Sequence, residues 1–217
     1  MTHFVRSPKE ELLSQHLQIS HLVKSSEDAA NTGLERLLSR FGPVEKREFS
    51  AFKDAMDHLL PVKSFVTRYL MVQVREWVLI TCDMRHSDCF SDLLNLSKSL
   101  KCEAVSAVSL DRARQFHYII DGVDRRIVHC YEDGNRWVFF EKGAPLECEQ
   151  VATYTLKRKP ERFKTEDVWR CMNFVTGIDF PINWIELRDR RAVTLERSLQ
   201  DLKASVELYE TKWDLMS

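Results

Sequence analysis

Tyr131-Glu132-Asp133-Gly134-Asn135-Arg136-Trp137-Val138-Phe139-Phe140 decides how this chain of 217 residues folds. Asp133-Gly134 lies between two runs of aromatic and β-branched residues. Such a pair predicts a β-hairpin, because the favoured two-residue turn requires positive φ at its centre. Beyond it, Trp137 and Phe139 alternate with Val138 and Phe140, which is the period of a strand. Upstream, 125–131, 115–120 and 104–108 have the same character, so the hairpin closes an antiparallel meander. Further back, 66–74 and 77–81 are two more strand-like runs, and Arg75-Glu76 between them predicts a tight turn.

Helical spacing surrounds the meander. Ser7-Pro8-Lys9-Glu10 has the form of a capping box with proline at the first helical position. Leu12, Leu13, Leu17 and Val23 follow it, predicting a helix over 8–23. Ser25-Ser26-Glu27-Asp28 caps a second helix with the stripe Ala30, Leu34, Leu37, Leu38 and Phe41, which Gly42-Pro43 stops. Phe49, Phe52, Met56, Leu59 and Leu60 predict a third before Pro61. Inside the meander, 88–100 reads as an inserted helix with Leu93, Leu96 and Leu100 on one face. Thr165 caps a helix carrying Val168, Trp169, Met172 and Val175, and Gly177 closes it. Last come Leu195, Leu199, Leu202, Val206, Tyr209 and Trp213, in steps of four and three. They predict a long amphipathic helix, packed on its own chain or pairing with a second copy as a homodimer seam.

Strands grouped together rather than alternating with helices predict an α+β fold, not a doubly wound one. The expected architecture is an antiparallel β-meander with N-terminal helices, one inserted helix and a long C-terminal helix. It divides into a helical segment at 1–63, the α+β core at 64–182 and the last helix at 183–217.

Composition narrows the class. Hydrophobic residues make up 44% and charged residues 30%, which supports a packed core and excludes wholesale disorder. The formal net charge of -1 gives no whole-chain field toward nucleic acid or an anionic membrane. The first residues carry no apolar stretch of signal-peptide type, and no run approaches the roughly 18 apolar residues of a membrane span. A cytoplasmic protein with no membrane association is expected, and its six cysteines are read as reduced thiols that behave as small hydrophobes.

The six glycines are scattered, so no phosphate-cradling loop of the usual kind is expected, and no Gly-x-Ser-x-Gly elbow occurs. Cys82, Asp83, His86 and Cys89, with Cys102 further on, form the one metal-like cluster. Its spacing fits no finger or ribbon pattern, and no metal or other cofactor is expected. His129 and Cys130 are neighbours in one strand and so point to opposite faces, whereas His117 and His129 lie on adjacent strands and can face one another. Asp121, Asp124, Glu132 and Asp133 sit near strand ends, where aspartate serves turn chemistry. The basic run 157–164 and the segment 188–191 read as solvated surface, so nucleic acid is not an expected partner. No residue is assigned a catalytic role.

One resemblance bears on function. Residues 131–139, then Gly143-Ala144-Pro145-Leu146-Glu147, Tyr154, and 158–165 with Arg158, Phe163 and Thr165 resemble a pattern in small bacterial α+β proteins. There a Glu-Asp-Gly-Gly-Arg-Trp-Phe hairpin precedes an acidic stretch, a Tyr-x-x-Arg-Arg segment and an Arg-Phe-Thr helix start. The resemblance spans about residues 66–180. Asn135 replaces the second glycine, and Lys164 separates Phe163 from Thr165. It implies no activity and no catalytic residue. Proteins of that size and class accompany bacterial toxins as immunity partners, which is an association rather than a mechanism.

The expected function is accordingly a non-catalytic protein-binding module, an immunity protein that neutralises a cognate toxin by occlusion. Asp121, Asp124, Glu132, Asp133 and Arg136 are its expected binding residues, since acidic turns complement a cationic partner. The alternative is a small hydrolase, or an enzyme acting on nucleotides or nucleic acid, built on the carboxylates and histidines of the meander. Convergence of His117, His129 and nearby carboxylates on one face would favour that alternative.

Overall fold

A computed structural model describes residues 19–59, 66–82 and 90–198. Its centre is a single antiparallel sheet of nine strands, β1 (Ile19–Lys24), β2 (Val44–Phe49), β3 (Val66–Val74), β4 (Trp77–Cys82), β5 (Glu103–Leu110), β6 (Ala113–Ile120), β7 (Val123–Asp133), β8 (Arg136–Lys142) and β9 (Ala192–Ser198), in the order β2-β9-β3-β4-β1-β5-β6-β7-β8. The helices are α1 (Glu27–Leu38), α2 (Phe52–Leu59), α3 (Phe90–Leu100), α4 (Thr165–Thr176) and the single turn α5 (Trp184–Leu187). The fold is α+β, with an antiparallel sheet, helices in the N-terminal part and a helix inserted before the meander.

Strand alternation divides the core in two. Leu22, Leu70, Val72, Trp77, Leu79, Val105, Phe116 and Val128 point to one face, where Phe52, Met56 and Leu59 of α2 and Val168, Cys171 and Met172 of α4 pack on them. Val23, Tyr69, Met71, Val78, Ile80, Ala104 and Ile119 point to the other, under Leu34 and Leu38 of α1 and Leu93 and Leu96 of α3. Helices on both faces explain why every residue of β4 is buried. Such strands read as continuous apolar runs rather than as alternation.

The predicted strands of the meander lie within β3 to β8, and the turns at Arg75-Glu76 and after Asp133 are present. The chemistry of two turns differs from expectation. Between β7 and β8 the central residues are Gly134 and Asn135, and of these only Gly134 (φ 60) has positive φ, so the glycine takes the first central position of a primed turn. The pattern with both central residues at positive φ belongs instead to Asp121 (φ 53) and Gly122 (φ 75), which join β6 to β7.

Three stretches differ from the helical reading. Residues 19–24 form β1 in the middle of the sheet, between β4 and β5. Four of its six residues are buried, and a short apolar run flanked on both sides is a central strand, not the end of a helix. The earlier part of that predicted helix, at 8–18, lies outside the described residues. Phe49 ends β2 rather than starting a helix, and α2 begins at Phe52. At the other end of the chain, 192–198 form β9, paired with both β2 and β3. Ala192, Val193, Thr194 and Leu195 are all buried there, on alternating faces, and burial on two sides overrides a helical period that a single face would carry. The rest of the predicted C-terminal helix, with its candidate dimer seam, lies outside the described residues.

Local signals at the helices are partly as expected. Ser26 caps α1 through its Oγ, which accepts from Ala29 N at 3.3 Å. Ala30, Leu34, Leu37 and Leu38 are buried, but Phe41 is 67% exposed, with the Arg197 guanidinium 5.1 Å above its ring. In α4 the cap position falls to Lys164 rather than Thr165, and the first turn is held by Asp167, whose Oδ2 accepts the Lys164 N–H at 2.7 Å. Gly177 closes α4 at φ 67.

The two edges of the sheet are unlike. In β2, Glu45, Lys46, Arg47 and Glu48 are exposed and carry charges of both signs, which guards the edge. In β8 the sequence is Arg136-Trp137-Val138-Phe139-Phe140-Glu141-Lys142, and no backbone hydrogen bond joins its outer side to another described segment.

The loop after β8 is pinned by an ion pair far apart in sequence. The Arg126 side chain is 1% exposed, and it forks onto Glu149 with Nε–Oε1 2.8 Å and Nη2–Oε2 2.6 Å. It also contacts Glu141, and its Nη1 donates to Gly143 O at 2.8 Å. Glu149 further accepts from Tyr154 Oη at 2.6 Å and Leu146 N at 2.9 Å. Burial alone would push the Glu149 carboxyl up, but the Arg126 hydrogen bonds, with those of Leu146 and Tyr154, hold it below the usual carboxylate range. A depressed carboxylate pKa contributes stability above the unfolded value, and that stability is lost as pH falls through the folded value.

Two outcomes follow from this packing. Arg126→Ala leaves Glu149 buried and uncompensated, and urea denaturation will show a loss of about 3–5 kcal/mol. The double change Arg126→Met with Glu149→Leu will recover most of it, and a double variant as unstable as the single one contradicts the assignment. Gly122→Ala combines positive φ with a Cβ that would lie 2.5 Å from Lys98 Cβ and 2.8 Å from Leu94 O, whereas a Cβ at Gly134 meets nothing within 4 Å. The Gly122 variant is expected to lose about 2 kcal/mol or more and the Gly134 variant about 1, from strain alone.

Candidate functional site

β6 and β7 pair with Gln115 opposite His129 and His117 opposite Ile127. His117 and His129 are therefore diagonal neighbours on one face, the face that carries α1 and α3. The register then slips between Tyr118 and Ile119: Tyr118 pairs with Arg126, but Ile119 pairs with Asp124. The extra residue is Arg125. Strict alternation from His129 would put Asp124 on the far side of the sheet. The bulge turns it back to the side of His117, as bulges commonly re-aim a side chain.

The result is a chain of three acid–base groups. Asp124 Oδ1 lies 2.8 Å from His117 Nδ1, and His117 Nε2 lies 2.6 Å from His129 Nε2. His117 is 7% exposed and has the Phe90 ring 4.4 Å away, centroid to centroid. His129 and Asp124 are half-buried. The Tyr131 and Phe140 rings flank His129 at 6.4 and 6.1 Å. With a carboxylate accepting from His117 Nδ1–H, the His117 Nε2 lone pair accepts from His129 Nε2–H, and a lone pair is left at His129 Nδ1. The His129 pKa is lowered to about 4, by burial first and then by the neighbouring His117, with Asp124 partly offsetting both. At neutral pH the group is thus an uncharged base that can take a proton at Nδ1 and share it inward toward Asp124. Cys130 takes no part: its Sγ donates to Lys159 O at 3.2 Å on the opposite face.

Among the described residues, the sheet around this chain is only partly covered. On this face α3 packs on β1, β5 and β6, and α1 packs on β3 and β9. Beyond them Ile127, Tyr131 and Val138 are half-buried and Phe140 is 47% exposed. The reverse face of β7 and β8 is covered by the turns Val151–Thr155 and Lys159–Glu161, with Arg162 stacked 5.5 Å over Phe139 and Tyr154 against it.

The expected binding residues divide between the two ends of β7. Asp121 and Asp124 lie at its start, while Glu132, Asp133 and Arg136 lie at its end. Nine residues separate Asp124 from Asp133, about 30 Å at strand rise. Asp121 is engaged in the fold: its N–H donates to Cys102 O at 3.2 Å, and Gly122 N–H donates to Ser97 Oγ at 3.0 Å. Glu132 pairs with Arg112 at 3.3 Å. Asp133 and Arg136 are opposite each other and exposed, at the rim of the open face.

The remaining candidates are placed as follows. Cys82 is buried at the end of β4, and Asp83, His86 and Cys89 lie outside the described residues. Among the described residues no three His, Cys, Asp or Glu side chains form a group able to hold a metal ion, and no helix is long and apolar enough to cross a membrane. The basic run at 157–164 is partly tied down, with Arg162 Nε donating to Leu156 O at 2.7 Å and Arg158 3.5 Å from Glu161. Arg190 Nη1 donates to Gln73 O at 3.1 Å, and Arg191 pairs with Glu48 at 3.0 Å. No protein-family model, no curated protein and no solved structure matches the chain.

A histidine whose folded pKa lies below its unfolded one binds a proton more readily when unfolded. Its contribution is fully present above the unfolded value and is lost as pH falls toward the folded value. Between pH 6.5 and 4 the stability of the chain will therefore fall, and His129→Gln will flatten that part of the profile. Proton NMR of the His129 ring will show its midpoint near pH 4; a midpoint at the ordinary value of about 6.5 contradicts the buried chain.

Proposed function

We propose that the chain is a protein-binding module whose contact surface is the open face of β7 and β8 together with the bare edge of β8. The observation that carries this reading is the one-sided cover of those strands. Every residue of β4 is buried, whereas β7 and β8 leave Phe140 47% exposed beside Tyr131 and Val138. Aromatic side chains at a surface supply large contact area at small entropic cost, and a polar rim is usual around such a patch. Asp133 and Arg136 provide one at the hairpin end. The form of partner proposed is a toxin neutralised by occlusion in the cytoplasm of a bacterium. Support for that form comes from the resemblance at 131–165 and from Glu132 and Asp133, which suit a cationic surface.

A second reading is favoured by one specific observation, the Asp124–His117–His129 chain. Three groups in hydrogen-bond contact, ending in an uncharged and half-buried imidazole, form a proton relay whose terminal base, with a pKa of about 4, is matched to acidic conditions. In this reading the open face holds a small substrate, and Tyr131 and Phe140 position it.

One pair of variants separates the two. Phe140→Glu puts a charge into the exposed aromatic patch and keeps all three members of the Asp124–His117–His129 chain; His129→Gln removes the terminal base and leaves the aromatic patch. Affinity purification from the source cell will recover a stoichiometric protein with the wild type and with His129→Gln, and will lose it with Phe140→Glu. Absence of any stoichiometric partner, or its loss only with His129→Gln, counts against the binding reading and turns attention to catalysis.

A further inference from the structure

The loop that follows β8 brings a second cluster of reactive groups against α4. Cys148, half-exposed, lies with its Sγ 3.8 Å from that of Cys171, which is fully buried on α4. The loop is fixed there by Arg170 Nε, which donates to Cys148 O at 2.9 Å, and by Glu149 beneath Arg126. Two free thiols are thus in contact, one reachable from solvent and one behind it. Redox-responsive cysteines have this arrangement: an accessible thiol with thiolate character next to a resolving partner.

We infer that Cys148 and Cys171 form an oxidisable dithiol, with Cys148 the site of attack on a hydroperoxide and Cys171 the resolving thiol. Cys148 thiolate attacks one oxygen of hydrogen peroxide; the O–O bond breaks, the sulfur becomes a sulfenic acid, and hydroxide leaves and is protonated to water. Cys171 sulfur then attacks Cys148 sulfur. The S–O bond breaks, and the departing hydroxide takes up the Cys171 proton as a second water. Two thiols and one peroxide become one disulfide and two waters. Closing the sulfurs from contact to bonding distance of about 2.05 Å requires the turn at 146–149 to move inward, toward α4.

The other described cysteines differ in the features that matter. The hydrogen bond from Cys171 holds the Cys148 thiol below the usual thiol range; burial and Glu149 oppose this, and Arg170 assists it. Cys102 is also half-exposed, but burial first, then Asp121 and Glu103, push its thiol up to about 11. Cys130 is buried and its thiol is raised by that burial. Cys82 is buried.

The test uses the full chain in its folded state. One equivalent of hydrogen peroxide is added, remaining thiols are blocked with N-ethylmaleimide in denaturant, and the digest is read by mass spectrometry. The expected product is a peptide pair joined through Cys148 and Cys171, lighter by two hydrogens and cleaved by a reductant. A Cys171→Ala variant is expected to stop at the sulfenic acid, trapped on Cys148 by dimedone. Blocked thiols at both positions after peroxide treatment overturn the inference, as does a cross-link from Cys148 to a different cysteine. If the variant fails to fold, the wild-type digest decides the matter by itself.

Discussion

A single extra residue in β7, Arg125, lies between the two polar networks of this molecule and sets one of them. Where the register slips, Asp124 is turned to the side of the histidines, while Arg126 keeps the side that alternation from Val128 assigns it, facing Glu149. The carbonyl of Arg125 itself faces Gly143, where an added Cβ would lie 2.0 Å away, so the chain leaving β8 can pass the bulge only as glycine. Remove the bulge and strict alternation carries the carboxylate of Asp124 to the far side of the sheet, away from His117. The irregularity is therefore a requirement of the acid–base chain.

The two networks lie on opposite faces, and they divide the labour. Arg126, Glu149 and Tyr154 hold a loop over one face of β7 and β8, closing it. Asp124, His117 and His129 lie on the other, where among the described residues the start of α3 reaches His117 through Phe90 and no loop covers β8. A protein of this size that covers a central strand on both sides has the means to cover the last two as well. The side left open carries the exposed aromatic ring, the perturbed imidazole and the rim of opposite charges, and these are the elements from which either a contact surface or a pocket for a small molecule is built.

Much of the fold is legible in the chain because strand and turn signals are local. The alternation after Gly134, the Arg75-Glu76 turn and the leucine stripes of α1 and α3 each rest on neighbours within about ten residues. The central strand β1 and the strand β9 are not legible in that way. Ile19 to Val23 and Ala192 to Leu195 are short apolar stretches whose conformation is decided by distant strands: β4 and β5 for the first, β2 and β3 for the second. For the site, the facing of His117 and His129 follows from adjacent strands and period two. Asp124 does not follow, since alternation assigns it to the wrong face, and no residue type marks the bulge. The partnership of Arg126 with Glu149 is equally invisible, because nothing in the spacing of 23 residues says that a loop will fold back there.

The unlike margins of the sheet have a consequence for assembly. Charges of both signs along β2 discourage any strand from lying down beside it, while β8 offers apolar side chains and an outer side with no backbone hydrogen bond to another described segment. Growth of a fibril needs a receptive margin at each end of every subunit, so that each newcomer exposes what the next one requires. With a single receptive margin among the described strands, recruitment along the sheet would end after one addition, which separates stickiness at one flank from polymerisation.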